Sequence, residues 1–210
     1  MILDADHAAE PPLSPADLPA EAAVAPADSR GRILAVAYEL FSRRGVRDVG
    51  VNELIERSGV AKATFYRHFP SKDALVLAFL EQRDQIWTVD AIVGQAKQRG
   101  TTPAEQLLAI FDVFGDWFLR EDFEACSFIN ILLEMGPAHP LGQASIDYLA
   151  RIRGHVQALA EQAGLDHPED FARSWHILMK GSIVSATEGD TQAAKRAQQM
   201  AGWLIEHHRS

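Results

Sequence analysis

At 210 residues, 47% hydrophobic and 23% charged, the chain has the length of one large domain or two small ones and the composition of a protein that buries a sizeable core. No apolar run approaches the roughly 20 residues that span a bilayer, and the start of the chain lacks a basic stretch followed by an apolar one, so no membrane partner and a cytoplasmic location are expected. The single cysteine, Cys126, excludes an internal disulfide and leaves little from which to build a structural zinc site.

The formal net charge of −9 argues against a nucleic-acid partner only until its distribution is read. Residues 1–28 hold six acids and no Lys or Arg, residues 29–73 hold nine bases against five acids, and residues 74–210 hold eleven bases against eighteen acids. One basic block therefore stands between two acidic ones.

In chain order, residues 1–27 are rich in Ala, Pro and acids without periodicity and read as a disordered arm. From Asp28 or Ser29, either of which can cap, Ile33, Leu34, Ala37, Leu40 and Phe41 recur at helical spacing until Gly45 supplies a stop. A shorter helix runs from about Val51 to Ser58, with Leu54 and Ile55 inward, and Ser58-Gly59-Val60 forms a tight turn. A third helix lies in VAKATFYRHFPSKDAL, Val60 to Leu75, before Pro70-Ser71 breaks it. Ser71 can cap a long fourth helix from Lys72 towards Arg99. Breakers at Gly100 to Pro103, Arg120 to Asp122, Gly136 to Pro140, Gly164 to Pro168 and Glu188 to Asp190 then separate about five further helices. No alternating strand pattern and no internal repeat interrupt them, and the fold class is all-α.

Projected at about 100° per residue, the third helix places Ala61, Phe65 and Phe69 on one arc and Lys62, Ala63, Tyr66 and Arg67 on the opposite one. Thr64 and His68 fall at the margins. Taken alone, such a basic and polar arc is more often a solvated face. Set in the basic block and after a tight turn, it suits insertion into a DNA groove, with outward residues at base edges and marginal ones at phosphates. Lys72, opening the next helix, adds a charge and a first-turn N–H for another phosphate.

The stretch GVRDVGVNELIERSGVAKATFYRHFPSKDALV, Gly45 to Val76, resembles the helix-turn-helix of the tetracycline-repressor (TetR) family of transcriptional regulators. The likeness lies in the glycine ending the first helix, the apolar pair of the second, Gly59-Val60 in the turn, then Thr64, Tyr66, His68-Phe69 and Ser71-Lys72 in order. It implies a DNA-binding domain over residues 28–73 and a helical ligand-binding and dimerisation domain over residues 74–210. It also implies that Thr64, Tyr66, His68 and Lys72 hold phosphates, while Asn52, Lys62, Ala63 and Arg67 read bases. Many relatives carry hydroxyl residues where this chain has Val49 and Gly50, and a Ser cap plus Gly where it has Ala61 and Ala63. Ala61 in place of Ser costs about 1 kcal/mol of helix stability, and Ala63 in place of Gly recovers about as much.

Other chemistry has little support. No Ser, His and Asp grouping, phosphate-cradling glycine loop or paired-carboxylate motif stands out, so no enzyme is expected. His139, His155, His167 and His176 lack i,i+4 ligand pairing, His207-His208 sit at a helix end, and Cys126 reads as a small buried hydrophobe rather than a nucleophile. No metal or cofactor is expected. A DNA-coating protein would need no large acidic second domain.

Two expectations concern residues 74–210. One recognition helix reads too few base pairs to select a site, so a homodimer is expected on a palindromic operator, joined through the last two helices. There Phe171, Trp175, Leu178, Met179 and Ile183, then Ala194, Ala197, Ala201, Leu204 and Ile205, recur at 3 and 4 spacing, and Gly181 and Gly202 permit close approach. The second expectation is a cavity for a small, largely apolar effector that releases DNA. Trp87, Phe111, Phe114, Trp117, Phe128, Trp175 and Met179 supply apolar lining, and Asn130, Glu134 and His176 supply polar groups in otherwise apolar stretches. Any one of those rings is more often core than cavity wall.

Overall fold

Asp28 opens the fold: its carboxylate accepts the Gly31 N–H at 2.6 Å and caps α1 (Ser29–Arg44), which ends at Gly45 with φ +77°. The computed structural model describes residues 28–209, and the acidic arm expected over residues 1–27 lies outside them. α2 (Val51–Ser58) and α3 (Lys62–His68) start at Gly50 and Ala61, neither of which makes a side-chain cap. At seven residues α3 is too short to persist alone. It is held by Phe65 and Phe69, both buried against the neighbouring helices, and Ile33, Leu40 and Leu54 are buried there too. Full burial of a side chain the size of Phe65 contributes about 1.5 to 3 kcal/mol. Ala61, placed inward by projection, is exposed, because the helix has only begun at that point.

Ser71 caps α4 (Lys72–Arg83) by accepting the Ala74 N–H at 3.1 Å. The long helix expected to Arg99 is continuous, but its middle is π-helical over Asp84–Gly94 before α5 (Gln95–Arg99) resumes the α form. Phe79 of α4 packs edge-on to Tyr38 and Phe41 of α1, at 5.3 and 5.7 Å between ring centres, and so fixes the long helix to the first three.

Thr102 and Glu105 form a capping box at the start of α6 (Pro103–Phe118), with Pro103 in the first helical position. α7 (Ser127–Met135), α8 (Pro140–Gln162), α9 (Pro168–Thr187) and α10 (Ala193–His207) complete the chain. The break after α6 is wider than Arg120 to Asp122 and runs from Leu119 through Cys126, stiffened by the Arg120–Asp122 pair at 2.6 Å. Among the described residues there is no strand, and the chain is an N-terminal helix-turn-helix followed by a larger helical part.

α8 packs on α7 and α9, and α10 on α6 and α9. The apolar stripes named for a dimer interface are spent inside the chain: Phe171, Trp175, Met179, Ile183, Ala194, Ala197, Ala201 and Ile205 are buried, and Leu178 and Leu204 partly so. A different face of the same two helices is bare. Ile177 is 70% and Trp203 66% exposed, with Val184, Met200 and Gly181 exposed beside them in sequence register.

Candidate DNA-binding face and interior cavity

Lys62, Ala63, Tyr66 and Arg67 of α3 are exposed, and Thr64 and His68 are half-buried at the margins. Asn52, in the first turn of α2, is exposed as well. Tyr66 is held by its neighbour, the two rings of Phe65 and Tyr66 meeting edge-on at 5.4 Å. Four other bases of the block are engaged elsewhere. Arg44 pairs with Glu53 at 2.6 Å, Arg57 with Glu39 at 3.0 Å and Arg43 with Glu124 at 3.2 Å, while Arg30 lies over the Phe69 ring. Lys62 and Arg67 have no ion pair among the described residues, so their charges are available to a partner. Lys72 is half-buried, and that burial lowers its pKa below the usual lysine value, partly offset by Glu134, Asp73 and Asp48.

A cavity lies between the π-helical segment and α6 to α9, with about 40 Å³ of free space. Trp87, Phe114, Trp117, Phe128, His176 and Met179 line it as the sequence suggests. The rings of Trp87 and Trp117 lie 5.1 Å apart. His176 is 4% exposed, and its Nδ1 has no hydrogen-bond partner. Burial first, then the charges of Lys180 and Arg153, lower its pKa to about 3. The imidazole is therefore neutral at physiological pH.

Four residues expected at the cavity are elsewhere. Phe111 and Trp175 are fully buried against each other, 5.2 Å between rings, in the layer between α6 and α9. Asn130 is exposed and borders an outer groove. Glu134 borders the same groove, where its carboxylate accepts the N–H of Val46 at 3.0 Å and the N–H of Arg47. The polarity of Glu134 within an apolar helix is thus satisfied by the loop before α2 and not by a ligand.

Several lining groups escape sequence reasoning. Arg83 donates to the Tyr38 hydroxyl at 2.6 Å and lies over the Trp87 ring at 4.8 Å, linking α1 to the cavity wall. Cys126, part-buried, also lines the cavity, and desolvation there raises its thiol pKa above the usual cysteine value. Lys180 stands one turn beyond His176 on α9, and that i,i+4 relation was the available signal for it. Among the described residues no group of three or more His, Cys, Asp or Glu could hold a metal, and no helix is long and apolar enough to cross a membrane.

Comparison with known proteins gives a consistent result. Residues 33–79 match the model of the bacterial regulatory proteins of the tetR family. The transcriptional activator FasR of Mycolicibacterium smegmatis is 38% identical over 98 residues, covering 45% of this chain and 42% of that protein. The regulator EthR of Mycobacterium tuberculosis is 37% identical over 73 residues, 35% of this chain and 30% of that protein. The chain thus spans less than half of the length of these two curated relatives. Over nearly its whole length it is similar to a solved TetR-family regulator from Streptomyces coelicolor, with a TM-score of 0.78, 26% identity, and coverage of 87% of this chain and 96% of that one. The helix-turn-helix match and the whole-chain likeness agree: residues 33–79 carry the DNA-binding helices of the tetR family of bacterial regulatory proteins, on a chain with the fold of a TetR-family transcriptional regulator.

Proposed function

We propose that this protein is a sequence-specific transcriptional repressor that binds a palindromic operator as a homodimer and leaves it when a small, largely apolar molecule fills the cavity. Residues 28–73 are the DNA-binding domain on this reading, residues 74–210 carry effector and dimer contacts, and the protein works in the cytoplasm. The observation that carries it is the unpaired, outward Lys62 and Arg67 on a helix seated by buried Phe65. Lys62 and Arg67 can meet guanine edges or phosphates, while Thr64, Tyr66, His68 and Lys72 hold the backbone. The bare face of Ile177, Val184, Met200 and Trp203 supports pairing through α9 and α10.

Selection of bound duplexes from a random library tests the reading. A two-fold symmetric consensus is the expected outcome, and equal retention of all sequences overturns it. One named relative is an activator, so the sign of regulation has its own test. Transcription in vitro from a promoter carrying the selected site should fall on adding protein, and a rise reverses the assignment.

A further inference from the structure

The cavity is uneven in charge. Arg83, His176 and Lys180 line it, and none of its lining residues is Asp or Glu. Arg83 is already committed to the Tyr38 hydroxyl and the Trp87 face. Lys180 has no ion pair among the described residues, and the charge nearest in influence, Arg153, has the same sign. Burial and that repulsion lower the pKa of its ammonium. One turn earlier on the same face, His176 holds an unpartnered Nδ1 away from solvent. A half-buried cation without a counter-ion beside an unsatisfied buried nitrogen is costly to maintain.

We propose that the cavity takes an organic carboxylate, its oxygens against Lys180 Nζ and His176 Nδ1 and its apolar body among Trp87, Phe114, Trp117 and Phe128. The inference rests on the cavity being the effector site. With its proton on Nδ1 the neutral imidazole donates one hydrogen bond, and the ammonium donates another with charge assistance. The present free space, about 40 Å³, admits a few waters. A ligand body must therefore displace its walls, and Met179, with a flexible thioether chain, and the π-helical segment bearing Trp87 and Thr88 are the parts that can yield.

The test compares decanoate, decanol and decylamine, three molecules with one apolar body, by calorimetry and by the fluorescence of Trp87 and Trp117 on the full chain. Decanoate should bind roughly tenfold or more tighter than the other two, the effect of a charge-assisted hydrogen bond. Lys180→Met should remove that preference and leave decanol within about twofold, whereas Lys180→Arg should keep it. Melting curves establish that each variant is folded. Equal or tighter binding of decanol or decylamine sinks the carboxylate assignment and leaves the cavity as the effector site. A preference that survives Lys180→Met removes Lys180 from the site. Failure of all three to bind or perturb the tryptophans overturns the effector reading together with the proposal.

Discussion

The carboxylate of Glu134 accepts the backbone N–H of Val46 at 3.0 Å. It takes the Arg47 N–H as well, so α7 grips the loop between α1 and α2. Gly45 suits that approach: its backbone, at φ +77°, is in a region side-chain-bearing residues rarely adopt, and a Cβ there would crowd the Glu134 Oε2 at 3.2 Å. The same α7 presents Ser127, Phe128 and Ile129 to the cavity. Displacement of α7 by a ligand would be passed to the DNA-binding helices through this grip. Glu134→Gln, which keeps one acceptor oxygen and loses the charge, should leave decanoate affinity unchanged. It should reduce the ligand-induced loss of operator affinity by about 1 kcal/mol, or about fivefold. Operator titrations with and without decanoate check this, and an undiminished loss removes α7 as the route.

Lys62→Ala should cost about 1 to 3 kcal/mol of discrimination per half-site where Lys62 meets a guanine edge. Lys72→Ala should weaken all sequences alike and lower the salt slope by about one unit per half-site contact. Because Glu134, Asp73 and Asp48 already surround Lys72, its loss should weaken binding less than that of a fully solvated lysine at a phosphate. An operator-variant array at several salt concentrations separates the two roles, and matching specificity profiles would refute the division.

Trp203→Glu and Ile177→Asp place charge on the bare face of α9 and α10 without touching the core. Both should shift the sedimentation mass from two chains to one while the helical signal persists. Phe171→Ala, by contrast, opens a cavity in the interior and should cost about 3 to 5 kcal/mol of stability. A dimer that survives both charge substitutions would place the interface elsewhere.

His176 gives the protein an acid sensitivity. Its folded-state pKa of about 3 lies below the usual 6.5, so between those values the unfolded chain binds the proton that the folded chain refuses. Stability contributed by the neutral buried ring is present above pH 6.5 and is lost as pH falls towards 3, on the order of a few kcal/mol in all. Thermal melting from pH 7 to pH 4 should show this fall, and His176→Gln should flatten it. An identical slope in the variant would assign the acid sensitivity to other groups.

The DNA-binding helices were legible because their signals are local. Asp28, Gly45, Gly59 and Ser71 mark their ends within a residue or two, and the inward Phe65 and Phe69 fix which arc of α3 faces out. What failed depends on distant partners. Glu134 and Val46 are 88 residues apart, so nothing near Glu134 announces that a backbone amide will satisfy it. Phe111 and Phe114 stand three residues apart on one helix, yet Phe114 lines the cavity while Phe111 packs on Trp175. Aromatic character alone does not separate them. On α9 and α10 the stronger apolar stripe satisfied the pattern and hid a second face of scattered residues such as Ile177 and Trp203, which only exposure distinguishes.

The π-helical turn from Asp84 to Gly94 holds one residue more per hydrogen-bonded ring than the α-helix on either side. Its turns are wider and its rise per residue smaller, so any stretch that converts to the α form lengthens the rod between Phe79, fixed on α1, and Arg99, paired with Asp116 of α6 at 2.7 Å. It also changes the direction in which Trp87 and Thr88 point. Conversion of this segment to the α form would therefore extend the long helix without adding a residue, and it would do so beside the cavity, which Trp87 and Thr88 of the same segment line.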